Sequence, residues 1–207
     1  MLLKDALRYE LPPEGISLLG YIVRRMHKTE MLVGVPSLIA AGKSAEALRQ
    51  IAGYAAAAST SFGRAFYQPS FNAEGEEVAE TDPVSGALVR AKLESKVPHI
   101  LVSLAVEMPD GSTFSGREEI TGTTVGLRGL GMPAPSQLHY QSGQYDARLV
   151  GTITSELVLS LLGRTRIRAY GRLQISDSEG NTGTLRVERA GTVEIDVTES
   201  RQVGGQT

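Results

Sequence analysis

The chain has 207 residues, of which 41% are hydrophobic and 21% charged, enough for a compact domain with a core of its own. Its formal net charge of -2 excludes the basic surface typical of nucleic-acid-binding proteins. It contains no cysteine, and its histidines, His27, His99 and His139, lack the spacing of metal ligands. We therefore expect no disulfide, no metal, no cofactor and no nucleic-acid partner.

The N-terminal segment 1–68 is predicted to be helical. Pro12 and Pro13 can open a first helix, whose apolar residues then recur every three or four positions up to Met26. A second helix is predicted to begin at Ser44, a good N-cap residue, with Glu46 in its first turn. One apolar face of this second helix is formed by Leu48, Ile51, Ala55, Ala58, Phe62 and Phe66.

The rest of the chain is predicted to be an exposed connection followed by β structure. Residues 69–98 are rich in Pro, Gly, Asn and Glu, with a short strand expected at 87–93. Residues 99–198 alternate apolar and polar positions between glycines, which is typical of antiparallel hairpins, and 199–207 form a polar tail. The predicted fold class is α+β: N-terminal helices followed by an antiparallel β barrel or sandwich.

Two stretches predict a duplicated hairpin. REEITGT at 117–123 and RVERAGT at 186–192 each follow a glycine, Gly111 or Gly180, at the same distance. Matching apolar faces places Ile175 opposite Leu185 and a Glu179-Gly180-Asn181 turn between the strands. The same register predicts three cross-strand ion pairs: Arg172 with Glu188, Arg166 with Glu194, and Arg164 with Asp196. The corresponding register of the first hairpin places Met108 opposite Phe114.

Between these hairpins the sequence predicts one further hairpin and one irregular crossing. The stretch QLHYQSGQYDARLVGTI alternates around a turn at Ser142-Gly143. GLRGLGMPAP at 126–135 is predicted to be irregular because of its Gly and Pro content. The apolar run 155–163 is compatible with a short helix or a buried strand.

Two glycine-containing stretches are partial matches to phosphate- or anion-binding loops. AAGKS at 40–44 ends like a P-loop, but Ser37 stands where that motif needs glycine, so a helix start is favoured. GTTVGLRGLG at 122–131 could form an anion-binding nest assisted by Arg128, and a plain crossing segment is favoured over it.

Candidate ligand-binding residues cluster near one turn. His139, Tyr140 and Tyr145 lie close in sequence and Asp146 follows, which are residue types used in acid–base catalysis. Strand alternation places His139 and Tyr140 on opposite faces, so no catalytic residue is assigned. The candidate ligand-binding residues are His139, Tyr140, Tyr145, Phe114 and Arg128. Expected interior residues are Leu104, Val106, Phe114, Leu173, Ile175 and Val187.

One family resemblance accompanies these motifs. The Arg-x-Glu spacing ahead of Gly122-Thr123 and the stretch YDARLVGT at 145–152 lie within 115–197. This region resembles β-rich segments attached to cholesterol-oxidase-like flavoproteins of the glucose–methanol–choline group. The Rossmann glycine fingerprint and the flavin-binding domain of that group are absent from the sequence. The resemblance implies an accessory β domain near lipid or sterol chemistry, not the oxidase itself.

The leading functional hypothesis is a non-catalytic β-barrel-like binding or accessory protein for an apolar small molecule or a partner protein. One alternative is a structural or assembly subunit that associates through 1–68, whose apolar runs exceed what a small barrel needs. Another is an enzyme with an acid/base His or Tyr in the barrel mouth. The first residues lack the pattern of a signal peptide and the apolar runs are too short to span a bilayer, so a cytoplasmic location is expected.

Overall fold

The computed structural model of the chain describes residues 28–65, 77–96, 99–120, 124–126, 129–159, 165–189 and 191–200. Three helices and ten strands lie in these ranges. The helices are α1 (Glu30–Val33), α2 (Val35–Ala40) and α3 (Ser44–Ala65). The strands are β1 (Glu77–Thr81), β2 (Leu88–Lys96), β3 (His99–Glu107), β4 (Thr113–Ile120), β5 (Thr124–Gly126), β6 (Gly129–Ser142), β7 (Tyr145–Leu159), β8 (Thr165–Asp177), β9 (Thr182–Val187) and β10 (Val193–Thr198). The α+β class is confirmed; the first predicted helix, before residue 28, lies outside the described residues.

All ten strands belong to one antiparallel sheet. Its order is β1-β2-β3-β4-β6-β7-β8-β9-β10, and the short β5 pairs with β6 beside this path. Strands that follow each other in the chain are neighbours almost throughout, which is the topology of a meander. The described sheet is open, with β1 at one end and β10 at the other, so the structure shows a single sheet and not the predicted barrel or sandwich.

Helix α3 packs against one face of this sheet. It contacts strands β6 to β10, and its Tyr54 ring meets Phe114 on β4. We call this the inner face and the opposite one the outer face. Because strand side chains alternate, every second residue points inward. All six residues expected in the interior are buried there: Leu104, Val106, Phe114, Leu173, Ile175 and Val187. None of the described helices is long and apolar enough to cross a membrane.

Two inner-face glycines permit a close approach of β7 and β8. A Cβ atom added at Gly151 would lie 2.1 Å from the carbonyl oxygen of Arg172, and one added at Gly171 would lie 2.2 Å from that of Thr152. Both distances are far shorter than any real contact of a Cβ atom. Glycine is therefore required at both positions, where the two strands come together beneath α3.

The predicted hairpins exist, but their registers differ from the prediction by two residues. Val106, not Met108, lies opposite Phe114, and Leu173 lies opposite Leu185. The cause is the loop: Asp177 N–H donates to Asn181 O at 3.0 Å, so the turn is 178–180. A shift by two residues keeps each side chain on its predicted face, so the prediction of which residues point inward is correct although the register is not.

Two of the three predicted arginine–carboxylate pairs, Arg172–Glu188 and Arg166–Glu194, are wrong, and Arg164 of the third pair lies outside the described residues. The stretch expected to be one strand turns back at 188–192, where Glu188 N–H donates to Thr192 O at 2.9 Å and Gly191 has a φ of +91°. Strand β10 therefore pairs with β9 and not with β8. As a result, Arg186 on β9 lies between two cross-strand neighbours, Arg172 on β8 and Glu194 on β10.

Two segments predicted to be irregular belong to the sheet. The strand expected at 87–93 is present as β2, which pairs with β3, but the rest of 69–98, expected to be an exposed connection, also contains β1, which pairs with β2. The Gly- and Pro-rich run that was expected to cross irregularly lies mostly in β6. At Pro133 and Pro135, β6 pairs with β7 on one side and with no other described strand on its other side. The missing proline N–H groups are tolerated at such positions.

Candidate functional site

The structure separates the predicted ligand-binding residues. Phe114, Tyr140 and Tyr145 are buried on the inner face, whereas His139 lies half-buried on the outer face. The opposite placement of His139 and Tyr140 agrees with the expected strand alternation. Arg128 lies outside the described residues. The five candidates therefore do not form one site, and each face needs separate description.

Four aromatic residues form a row on the inner face. The Tyr54 and Phe114 rings meet edge to face with centroids 4.8 Å apart, and those of Tyr140 and Tyr145 lie 6.3 Å apart. Phe114 and Tyr140 face each other across β4 and β6, which joins the two pairs. Sequence reasoning missed Tyr54, although it stands three residues after Ile51, at the spacing of the predicted helix face.

The hydroxyl groups of this row differ in their hydrogen bonding. Tyr145 Oη donates to Asp177 Oδ2 at 3.0 Å, whereas Tyr54 Oη has no partner among the described residues. Tyr140 Oη also makes no bond of good geometry there, although burial raises its pKa and the nearby Ser112 and Ser142 act in the opposite direction. Burial is the main cause that raises the pKa of all three phenols, so they stay protonated near neutral pH. They can donate hydrogen bonds, but they are not general bases.

One carboxylate also lies on the inner face. Glu118 is 1% exposed, and Ser136 Oγ donates to its Oε1 at 3.0 Å. Glu119 follows it on the outer face because strand side chains alternate. The two carboxylates therefore do not form the acid pair that catalysis by paired carboxylates would need.

The outer face has a depression of about 540 Å³ over β3, β4, β6 and β7, which we call the outer depression. The cross-strand register explains which side chains meet there. Ser115, His139 and Arg148 form one row across β4, β6 and β7. Arg117, Gln137 and Val150 form the adjacent row. The outward-pointing residues that line the depression are Ser103, Ser115, Arg117, Gln137, His139, Arg148 and Val150.

Asp146 connects two of the lining residues at the β7 side. Its Oδ2 is hydrogen-bonded to His139 Nε2, and its Oδ1 accepts a bond of 3.0 Å from Arg148 Nε. The His139 contact is the largest cause that lowers the pKa of the Asp146 carboxyl, and Arg148 adds to it. Asp146 therefore stays ionised and holds both side chains in place, as carboxylates commonly do for histidine.

The lining of the outer depression includes polar groups with unused hydrogen-bonding capacity. Within the described part of the chain, the Ser103, Ser115 and Gln137 side chains make no hydrogen bond. A second depression, of about 530 Å³, lies at the start of α3. There Asn181 already donates to Ser44 Oγ and Asp177 Oδ2, both at 2.8 Å, and accepts from Ser200 N–H. In this second region, Asn181 thus links Ser44 at the start of α3 to Asp177 and Ser200.

Metal binding finds no support in the ranges that the structure covers, because no group of three or more His, Asp or Glu residues is arranged to hold an ion. No protein-family model matches the chain, and no curated protein matches it either. The resemblance of 115–197 to segments of glucose–methanol–choline flavoproteins stays a prediction.

Proposed function

We propose that this protein is a non-catalytic binding or accessory protein, and that its outer depression binds a small molecule. The observation that carries the proposal is the set of unused donors and acceptors on Ser103, Ser115 and Gln137 within one concavity. A volume of about 540 Å³ lies within the range of roughly 300–1,000 Å³ that is usual for ligand sites.

The inner face of the sheet is closely packed, and this favours a ligand site on the outer face instead. Phe114 and Leu149, both fully buried, point toward α3, and Tyr54 of α3 packs on Phe114. The apolar residues expected in the interior thus belong to a packed core where the structure describes them. This favours a ligand bound outside the sheet.

The ligand that suits the outer depression has both polar and apolar parts. Val150 is 51% exposed and provides an apolar contact beside the polar groups of Gln137 and Ser115. Burying such a side chain against a ligand is favourable, while the polar groups fix the orientation of the ligand.

Among the described residues, no comparable observation supports the alternative hypotheses, and residues 1–27 of the segment 1–68 lie outside them. Helix α3 and the short helices before it bury Leu32, Val35, Leu48 and Ile51 against the same chain, so these residues need no partner to cover them. For an enzyme using His139, Asp146 is hydrogen-bonded to the histidine and Ser115 lies beside it in the same cross-strand row, but Ser115 makes no hydrogen bond to His139 in the described structure. Cytoplasmic location stays a prediction.

The proposal is tested by filling the depression. Wild-type protein is incubated with the small-molecule fraction of a cell extract, separated from unbound compounds, denatured and examined by mass spectrometry. Ser115→Trp places a large ring in the depression and should abolish retention. Thr182→Trp is the matched control, since Thr182 lies in the same cross-strand row but on β9. Retention by Ser115→Trp, or no retention by wild-type protein, would contradict the proposal.

A further inference from the structure

We propose that the ligand of the outer depression is an oxyanion, a compound whose carboxylate or phosphate group binds between Arg117 and Arg148. This inference rests on the proposed function and names the chemical class of the ligand. Both arginines line the depression, Arg117 from β4 and Arg148 from β7. No carboxylate is among the lining residues. The carboxylates nearest to the two arginines, Glu119 beside Arg117 and Asp146 beside Arg148, lie outside this lining.

The neighbouring carboxylates leave most arginine donors unused. Arg117 Nη2 lies 3.9 Å from Glu119 Oε2, which is beyond hydrogen-bond distance. Arg148 uses its Nε for Asp146, so its two terminal nitrogens remain available. A guanidinium group has five N–H donors in a planar arrangement, which suits two-point binding of a carboxylate or phosphate.

The spacing of the strands lets both arginines reach one anion. Strands β4 and β7 are separated only by β6, so they lie roughly 10 Å apart. A group lying over β6 is then within reach of a long side chain from each side. Gln137 and His139 of β6 lie beneath it, and Ser115 supplies a further hydroxyl donor.

Solvent limits the strength of this binding. The Arg117 and Arg148 side chains are 60% and 71% exposed, so water and salt screen their charges. We therefore expect weak affinity that falls as the salt concentration rises. We also expect each arginine to contribute about a two- to fivefold change in affinity, the range of exposed ion pairs.

The test is an NMR titration at low ionic strength with three probes: succinate, inorganic phosphate and the uncharged succinamide. Succinate or phosphate should shift the side-chain N–H signals of Arg117 and Arg148, and succinamide should not. Arg117→Gln and Arg148→Gln should each weaken binding about two- to fivefold. Arg168→Gln should leave it unchanged, since Arg168 lies on the outer face of β8, outside the depression.

The outcomes separate this inference from the proposed function. Stronger binding of succinate or of phosphate identifies which oxyanion fits. Equal binding of succinamide, unchanged affinity in both arginine variants, or no binding of either anion would overturn the oxyanion assignment. If extract compounds are still retained by wild-type protein and lost in Ser115→Trp, the proposed function stands without it.

Discussion

The two faces of this sheet are made by alternate residues of the same strands, and they differ in burial and polarity. On β7, Leu149 is fully buried against the core, while Val150 beside it is 51% exposed. The inner face packs on α3 through apolar and aromatic side chains. The outer face carries charged and polar groups, including those of the outer depression. The buried core thus lies on one face, and the other face is exposed to solvent.

The two kinds of contact also differ in how much they contribute to the free energy of unfolding. Full burial of a leucine side chain contributes about 1.5–3 kcal/mol. An exposed ion pair such as Arg90–Glu107, with an Nη1–Oε1 distance of 2.7 Å, contributes about 1 kcal/mol or less. We therefore expect substitutions on the outer face to lower the free energy of unfolding less than substitutions on the inner face.

The sharpest test of the comparison substitutes two adjacent residues. Leu149→Ala should lower the free energy of unfolding by about 2–5 kcal/mol, because it opens a cavity in the core. Val150→Ala should change it by less than about 0.5 kcal/mol. Urea denaturation followed by circular dichroism measures both. Similar losses in the two variants would mean that the faces are not energetically distinct.

A second test concerns the close approach of β7 and β8. Gly151→Ala should cost about 3 kcal/mol, because its Cβ would overlap the Arg172 backbone oxygen, which cannot rotate away. Gly143→Ala is the control: its φ of +58° is unfavourable for alanine, but nothing lies within 4 Å, so about 1 kcal/mol is expected. Thermal unfolding should rank the variants in that order, and the reverse order would contradict the strand geometry.

Face assignment was predictable from the sequence because the side-chain period of a strand is two residues. Leu173 and Ile175 were predicted to be interior and are buried. Register was not predictable in the same way, since a shift by two leaves every face unchanged. The loop bond from Asp177 to Asn181 decides it, and three-residue turns with different hydrogen bonds look alike in sequence.

The outer depression could be predicted only in part. Alternation assigned His139 to the face opposite Tyr140, as the structure shows. The other lining residues include Arg117 on β4 and Arg148 on β7. Strand β4 pairs with β6, although β5 lies between them in the sequence. That strand order depends on tertiary packing, and the Gly- and Pro-rich start of β6 concealed the strand. The lining set was therefore beyond the reach of sequence patterns.

A third test compares two buried phenols. Tyr145→Phe should lower the free energy of unfolding by about 1 kcal/mol, since it removes the bond to Asp177. Tyr54→Phe should not lower it, because the removed hydroxyl has no partner among the described residues. Equilibrium denaturation of both variants measures the difference. A larger loss in Tyr54→Phe would show that its hydroxyl is engaged.

The smallest expected effect is the pH dependence of one outer-face contact. The pKa of Asp146 is lowered in the folded protein, chiefly by its bond to His139, from an ordinary value of 3.8. Its contribution to stability is therefore present above about pH 4 and is lost as the pH falls through the folded value. Because the side chain is 32% exposed, the effect is modest.

Asp146→Asn isolates this contribution, because the other carboxylates titrate in both proteins. Between pH 6 and pH 3, wild-type protein should lose more thermal stability than Asp146→Asn, measured as the change in Tm. Asp196→Asn, the same substitution on β10 of the outer face, should lose as much as wild-type protein. An equal loss in Asp146→Asn and wild-type protein would show that the His139–Asp146–Arg148 contact does not stabilise the fold. The outer face would then contribute nothing measurable to folding at this point.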